Sequence, residues 1–577
     1  MKTKFQYIAI VLLFASLQAF AQKEDKDLGT EVVNVVKPYT PTISDAFKVK
    51  ETPVIEDEDN TQKEEIKYNI FSFPVASTFA PAKGKAAAVD REAKEKLYNN
   101  YATLGVGNYG TVNAELFVTH NLNRNEYVGG MLRHLSSQGG IDGVVLDDKY
   151  AITGLDLTYG NRQASYNWST DLGYQNQVAN WYGLPEWYNQ WAADDFASGI
   201  DPKQTYHTFY IGGNIAAEKS FFRDASAQYK RFWDGYGSAE NRFFIKPSLD
   251  IDIMEEKFKV DFVADYVGGT MGDDTNFASD YSHFNVGVQP SLLYQKDDLS
   301  VQLGAGLFYS MGKMNDESDG KFHVYPQVKA SYKVVGDLMV AYAGAEGTLR
   351  QNSYAEFVSV NPFVAPILPI APTDQQYDIY VGLKGKLAST VAYNIRGSYM
   401  NEDNRAFFAN TFYPSEEENY TYGNSFTVVY DQLQTVSFFG ELTADFEHFN
   451  FGINGTFSSY STDNIEEARN LPQIRVGANA NFDITEKWYA GADVFFVGER
   501  NDMEVMEDLD NDIYPSLQPV TLKSYFDLNA HVGYKYNERL TGFLKLNNIA
   551  NQDYERWVNY PVQGFQFLIG ASYKFNF

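Results

Sequence analysis

Thirteen residues at the C-terminal end of the chain, 565–577, alternate between apolar and polar side chains. One face consists of Phe565, Phe567, Ile569, Ala571, Tyr573, Phe575 and Phe577. The other face consists of Gln566, Leu568, Gly570, Ser572, Lys574 and Asn576, five of which are polar or glycine. A period of two residues predicts a β-strand, and this one is about twice as long as the usual strand of a soluble protein. A long strand with one apolar face is typical of a transmembrane β-barrel, whose outer face contacts lipid.

A second segment, "SYFDLNAHVGYKY" (524–536), shows the same alternation, with aromatic residues at both ends of its apolar face. Aromatic side chains are expected where strands cross the membrane interface. The chain has 42 Tyr and 42 Phe, and its sequence after the leader lacks the long apolar run of a transmembrane helix. A soluble sandwich also alternates, but it needs a second sheet and uses shorter strands. The predicted fold class is therefore all-β, a transmembrane antiparallel β-barrel.

Short and long connections take turns along the chain, as in outer-membrane barrels with short periplasmic turns and long external loops. The short links are "YGNRQ", "MEEKF", "QKDDL", "VVGDL", "LAST", "EHFN", "ITEKW" and "KYNER". The long links are 176–203, 268–283, 311–321, 350–376, 401–434, 460–471, 499–521 and 551–563. From residue 101 onward the pattern predicts about 22 strands, within about four, because strand boundaries are hard to place from sequence.

The first residues have the pattern of an export signal. Lys2 and Lys4 precede an apolar core at 8–14 and an A-x-A cleavage site at 19–21, which predicts a removable signal peptide over 1–21. The chain has no cysteine, so the exported protein does not use disulfides. Without the two leader lysines, 45 basic residues stand against 75 acidic residues, a net charge of about −30. This charge excludes nucleic acid as a partner, because its phosphates would be repelled.

Catalytic signatures are absent from the sequence. It contains no nucleophile elbow, phosphate loop or zinc motif. The seven histidines are scattered singly, without metal-ligand spacing. We therefore expect a protein that is not an enzyme and has no cofactor.

The C-terminal segment 522–577 resembles the end of TonB-dependent receptor barrels. The resemblance is carried by "YFDLN" at 525–529, "NNIANQDYE" at 547–555, a Pro-x-x-Gly at 561–564 and a final strand that ends in Phe577. It implies a 22-stranded barrel that takes up a bound nutrient with energy from the inner membrane, and an N-terminal plug domain in the lumen. The leader and the aromatic-rich loops also resemble those of Bacteroidota proteins.

The residues before the first strand depart from that family's pattern. Residues 22–100 contain five prolines and no stretch that resembles the Gly-rich, β-rich plug. We therefore expect a short, mostly irregular periplasmic arm over 22–100 and a plugless barrel over 101–577. A barrel of 22 strands is roughly 40 Å across, so the arm, infolded loops or a partner protein must fill it.

The arm contains "TEVVNVV", which resembles the box with which TonB pairs by strand addition. Its candidate residues are Thr30, Glu31, Val32, Val33, Val35 and Val36. The same sequence would also be expected of a chance apolar patch in an acidic arm, or of a segment that lines the barrel.

Two predicted external loops carry apolar side chains that suit a ligand or a partner protein. In the first loop these are Trp181, Tyr182, Trp187, Tyr188 and Trp191. In the Pro-rich second loop they are Phe363, Ile367 and Leu368. The first loop would stack on a sugar ring or a partner, or pack on itself over the barrel mouth. The second favours an interface, since exposed apolar patches usually mark one, but it would also help to close the lumen by folding inward.

Asp508, Asp510 and Asp512 have the alternate spacing of the first three ligands of a Ca²⁺ loop. Ile513 stands where that loop needs glycine, and no glutamate occupies its last position. A solvated acidic loop is therefore favoured over a metal site.

Tyr573, Phe575 and Phe577 in the final strand resemble the signal read by the barrel-insertion machinery of outer-membrane proteins. Two functions remain open. The first is a receptor or uptake channel in the outer membrane of a Gram-negative bacterium, with membrane lipid, the insertion machinery and TonB or another outer-membrane or periplasmic protein as partners. The alternative is a structural subunit of a multi-protein outer-membrane complex.

Overall fold

The computed structural model describes residues 96–186, 199–218, 220–253, 256–272, 278–315, 317–412, 418–506 and 516–577. These residues belong to one compact unit that begins at Lys94. The strands are β1 (Asn100–Gly107), β2 (Val112–Asn121), β3 (Glu126–Ser137), β4 (Tyr150–Arg162), β5 (Tyr166–Asn180), β6 (Lys203–Ala217), β7 (Phe222–Asp234), β8 (Ala239–Ile253), β9 (Glu256–Met271), β10 (Ser279–Lys296), β11 (Leu299–Met314), β12 (Glu317–Val335), β13 (Met339–Arg350), β14 (Thr373–Ala388), β15 (Val391–Phe412), β16 (Tyr422–Phe446), β17 (Phe449–Thr462), β18 (Ile474–Asp483), β19 (Trp488–Val497), β20 (Arg500–Met506), β21 (Ser516–Leu522), β22 (Tyr525–Lys535), β23 (Leu540–Asn547), β24 (Glu555–Trp557), β25 (Tyr560–Pro561) and β26 (Gln566–Phe575). Among the elements that lie wholly within these ranges, the helical ones are a 3₁₀ turn, Asn108–Gly110, and helix α1, Tyr354–Val360. In these ranges the structure contains no helix long and apolar enough to span a membrane.

Twenty-two of these strands form one antiparallel sheet that closes on itself, which confirms the predicted fold class and strand number. Each strand pairs with its neighbours in the chain, except that β19 pairs with β22 and β23 pairs with β26. The barrel closes where β1 pairs with β26, from Asn100 opposite Phe575 to Gly107 opposite Leu568. Two small pairs, β20–β21 and β24–β25, lie outside the barrel sheet.

The alternation predicted for the last strand is present. Phe567 and Ile569 are 41% and 56% exposed, whereas Leu568 between them is 8% exposed. The opposite, lumenal face of the wall is polar and carries ion pairs such as Arg133 with Asp156, 2.8 Å apart. An apolar outer face and a polar inner face are the polarity expected of a membrane barrel.

Some strand ends differ from the sequence prediction. The link 311–321, predicted as a long loop, is mostly strand, because β11 runs to Met314 and β12 begins at Glu317. The predicted loop 401–434 is likewise shortened by β15 and β16, which have 22 and 25 residues. A membrane crossing needs only about 9–11 residues, so these strands project beyond it. The final strand stops at Phe575, since its partner β1 begins only at Asn100.

Five lumenal glycines are covered by tyrosine rings from the neighbouring strand. A Cβ at any of these glycines would collide with the ring that faces it. The pairs, which lie opposite each other in the ladder, are Gly160 with Tyr127, Gly173 with Tyr210, Gly344 with Tyr380, Gly382 with Tyr342 and Gly533 with Tyr489. Glycine in a strand often marks a close approach by another group, and here that group is an aromatic ring that stiffens the inner wall.

Candidate functional site

The long-loop end of the barrel, which is the external end in outer-membrane barrels, is crossed by residues 351–372. We call this segment the cap loop. It begins with helix α1, and Ser353 is the N-cap, accepting a hydrogen bond from the backbone N of Glu356 at 3.2 Å. The carboxylate of Glu240 on β8 accepts from the backbone N of Tyr354 at 2.6 Å and from Tyr281 Oη at 2.6 Å. A negative group at a helix N-terminus satisfies free N–H donors and complements the helix dipole. The barrel wall itself therefore caps α1.

A second contact ties α1 to the wall through charge. Arg242 on β8 donates to Asp265 on β9 at 2.8 Å and to Glu356 on α1 at 2.6 Å. The side chains of Arg242 and Asp265 are 13% and 7% exposed, whereas that of Glu356 is 47% exposed. Tyr354 Oη also donates to Asp234 Oδ2 at 2.7 Å. The helix is thus held by two buried carboxylates and one arginine.

The Pro-rich half of the cap loop is held through its backbone carbonyl groups. Prolines lack an N–H, so this segment has few donors with which to form a ladder. Six of its backbone carbonyls accept a hydrogen bond from a side chain. The donor and the residue whose carbonyl accepts are Tyr206 Oη and Pro362 (2.9 Å), Ser238 Oγ and Pro366 (3.0 Å), Tyr430 Oη and Pro369 (3.0 Å), His283 Nε2 and Ile370 (2.6 Å), Asn352 Nδ2 and Ala371 (2.7 Å), and Asn404 Nδ2 and Pro372 (2.7 Å). Most of these donors belong to barrel strands, so the loop is fixed to the inside of the mouth.

Apolar packing also holds the cap loop in place. Val364 and Ile370 are fully buried and Leu368 is 2% exposed. They belong to one cluster with strand residues from several sides of the mouth, including Phe426 of β16. Val364 also forms a parallel bridge with Phe426. The cap loop therefore reaches across from β13 and β14 to β16 and covers part of the mouth.

The structure brings together residues from the two loops that the sequence predicts as binding loops. Trp181 is fully buried, with its ring centroid 5.7 Å from that of Tyr420, and its cluster includes Phe363 and Ile367. Tyr182 packs edge-on against Phe363 at 5.5 Å. Burial raises the pKa of the Tyr182 hydroxyl. The apolar patch expected at the surface is thus covered by the chain's own loops.

Several predicted site residues lie outside the described residues: Thr30, Glu31, Val32, Val33, Val35, Val36, Trp187, Tyr188, Trp191, Asp508, Asp510 and Asp512. The predicted insertion signal lies at the barrel seam, where the rings of Tyr573 and Phe575 stack at 6.2 Å and Phe577 is 84% exposed. Among the side chains that the structure describes, no group of three or more acidic, histidine or cysteine residues could hold a metal ion.

The hairpin β20–β21 supports the mouth from another side. Arg500 donates to Asn470 Oδ1 at 2.9 Å and to the carbonyls of Glu555 and Arg556 at 2.6 and 2.9 Å, so it joins three loops. Its neighbour Asp502 is 2% exposed. Burial raises the pKa of Asp502 to about 7, although Arg500 nearby lowers it.

A cavity of about 530 Å³ lies beside α1 and the lumenal wall of β7–β11. Its lining is polar and includes Arg242, Asp265, Gln289, Arg350 and Gln351. The charges are partly compensated within the lining, since Arg242 pairs with Asp265. The cavity can hold a polar solute or ordered water on the lumenal side of the cap loop.

Sequence reasoning missed the wall residues that hold the cap. These residues are Glu240 and Arg242 on β8 and Tyr206 on β6, and they are not part of any sequence motif. One signal was available: Ser353 followed by Glu356 has the spacing of a capping box, which predicts a helix start inside the long loop.

No protein-family model matches the chain, and no curated protein sequence matches it. Solved structures do match. The ferripyoverdine receptor of the outer membrane of Pseudomonas aeruginosa is 12% identical, with a TM-score of 0.62 over 84% of this chain and 73% of that one. The siderophore receptor PirA from Acinetobacter baumannii is 12% identical, with a TM-score of 0.61 over 84% and 81%. The FrpB iron transporter from Neisseria meningitidis is 11% identical, with a TM-score of 0.63 over 84% and 83%. At such low identity the likeness concerns the fold, and it confirms the resemblance to TonB-dependent receptor barrels at that level.

Proposed function

We propose that the chain is a receptor and transport barrel of the outer membrane whose external mouth is obstructed by the cap loop, residues 351–372. The observation that carries this proposal is the complete burial of Val364 and Ile370 together with the hydrogen bonds that fix the loop to the wall. The shared fold with outer-membrane receptors and an iron transporter supports it. A ligand that passes through the barrel must displace the cap loop.

The accessible face of α1 is the natural place for a ligand to act. Glu356 and Val360 are exposed there, whereas the opposite face, with Tyr354 and Phe357, is buried. A ligand that competes for Glu356 would weaken its pair with Arg242, and so release one of the contacts that hold the helix. The alternative role as a structural subunit receives less support, because the Pro-rich loop that would dock a partner is buried.

Replacement of residues 354–371 by a short Gly-Ser linker tests the closure. We expect the purified wild-type barrel to conduct little in a planar lipid bilayer and the variant to open large, long-lived channels. The control makes a Gly-Ser replacement in the short turn 297–298, which joins β10 to β11 at the opposite end of the barrel from the cap loop. Equal conductance of wild type and the 354–371 variant would refute a closing role for the cap loop.

We further propose that residues 30–36 recruit TonB, on the basis of their sequence alone. Deletion of these residues should abolish uptake of the nutrient that the barrel carries while leaving the amount of inserted barrel unchanged. The measurement is growth of the deletion strain on a panel of limiting nutrients, with barrel levels followed in membrane extracts. Unchanged growth on every nutrient would count against this role.

A further inference from the structure

Two glycines on the outer wall of the barrel differ from the lumenal glycines because their surface is uncovered. Gly440 on β16 and Gly455 on β17 lie directly opposite each other in the ladder. No heavy atom that the structure describes lies within 4 Å of a Cβ built at Gly440, and the nearest to one at Gly455 are 3.8 Å away. Glycine weakens a strand unless something packs closely against it. Among the described residues, nothing takes the place that the tyrosine rings occupy on the lumenal side.

The two glycines form the floor of an apolar depression. We call it the outer cup. Its volume is about 580 Å³. The large side chains around the glycine floor are Tyr393, Ile395, Leu442, Ile453 and Val476. Toward the cap end the next paired residues are Phe438 and Phe457, which are 57% and 53% exposed and form a wall. The depression is therefore shallow, open to the lipid, and bounded toward the cap end by these two rings.

The outer cup lies deep in the band that faces lipid. Gly440 is six residues along β16 from Phe446, which pairs with Phe449 at the short turn. Six residues of strand span about 20 Å, and a strand tilt of about 40° reduces this to about 15 Å of depth. The hydrocarbon core is about 30 Å thick, so the cup opens near its middle. Acyl chain ends are the material that meets the wall at this depth.

We propose that the outer cup binds the end of one acyl chain of a membrane lipid, and that it retains this lipid when the surrounding lipids exchange. The inference rests on the outer-membrane location in the proposed function. The cup is continuous with the lipid-facing wall and its large lining side chains are apolar, which suits a hydrocarbon chain. A chain end in the cup contacts the glycine floor and, beside it, the rings of Phe438 and Phe457, whereas the rest of the wall touches a lipid on one side. Lipid tails are as apolar as the wall, so the additional van der Waals contacts, rather than the hydrophobic effect, make this lipid the slowest to leave.

The test is native mass spectrometry of the full barrel, extracted from its own membrane and washed in mild detergent. We expect the wild type to retain one lipid per barrel. Gly440→Leu fills the cup, and the open space at this position accepts the side chain. Loss of roughly ten van der Waals contacts to the lipid corresponds to about tenfold less retained lipid. Gly440→Ala should give an intermediate loss with even less risk to folding. The control is Gly542→Leu on β23, an outward glycine elsewhere on the wall whose Cβ would have its nearest neighbour 4.0 Å away; it should retain lipid like the wild type.

Three results would overturn the proposal. The first is a wild type that retains no lipid under conditions in which the barrel stays folded. The second is equal retention by the wild type and both Gly440 variants. The third is a retained protein partner, in place of lipid, that Gly440→Leu releases. All three are independent of the conductance test, since the outer cup and the cap loop lie on different faces of the barrel wall.

Discussion

Removal of the Glu240 carboxylate should loosen the cap loop without unfolding the barrel. Glu240 is 1% exposed and accepts hydrogen bonds from two backbone N–H groups of α1, that of Tyr354 at 2.6 Å and that of Ala355 at 3.3 Å. Each buried bond to a charged group contributes about 1.5 kcal/mol or more, so Glu240→Ala should lower the free energy of cap opening by about 3 kcal/mol. Since 1.4 kcal/mol corresponds to a factor of ten, amide exchange in the cap loop should accelerate about 100-fold.

The assay is hydrogen–deuterium exchange with mass spectrometry, followed in peptides from 351–372 and, as a check on the barrel, in peptides from β22. A matched control is Glu356→Gln on the same helix. Glu356 is 47% exposed, and a half-exposed ion pair contributes at most about 1 kcal/mol, so its effect should stay within about fivefold. Equal protection of 351–372 in Glu240→Ala and wild type, with β22 intact in both, would refute the idea that the wall caps α1.

Three further predictions concern the wall, the insertion signal and the hairpin. Gly173→Val should lower the amount of assembled barrel, measured by heat-modifiable gel mobility, because the new side chain collides with the ring of Tyr210; the double variant with Tyr210→Ala should recover assembly, and no recovery would contradict the steric explanation. Deletion of Phe577 should reduce barrel levels in membrane extracts if the insertion machinery reads this residue, and normal levels would argue against that role. Burial raises the pKa of Asp502 from 3.8 to about 7, so the folded hairpin binds a proton more tightly than the unfolded one and loses stability as the pH rises through this window. Exchange in 500–506 should therefore be faster at pH 8 than at pH 5 after correction for intrinsic rates, and Asp502→Asn should remove the difference.

Period-two alternation was enough to predict the barrel. Phe567 and Ile569 face outward as expected, because the strand geometry alone sets which side chains share a face. Short turns such as that at Lys296–Leu299 could be placed because the chain must reverse there in a few residues. The ends of the longest strands were misplaced, since β15 and β16 continue beyond the membrane. There the outer face no longer contacts lipid, so apolar and polar side chains need not alternate.

The cap loop could not be predicted to the same extent. Phe363 and Leu368 indicated an apolar patch, and sequence alone left open whether it faces a partner or folds inward. The answer depends on contacts between distant parts of the chain, such as Tyr206 with Pro362, which are 156 residues apart. The donors on the wall are ordinary inward-facing polar residues of strands. They lie beside the carbonyls of the loop only because the closed barrel places them near its external end.

The two halves of the cap loop are held by different forces, and this predicts where opening begins. The Pro-rich half relies on neutral hydrogen bonds and on buried side chains such as Ile370, which water and small solutes do not reach. Helix α1 relies on charged groups, and charge-assisted bonds are stronger but can be exchanged for a competing charge. Glu356 is exposed while its partner Arg242 is nearly buried, so an external ligand meets the pair at its accessible end. Opening should therefore start at α1, and the Pro-rich half should follow only when the helix no longer holds it against the wall.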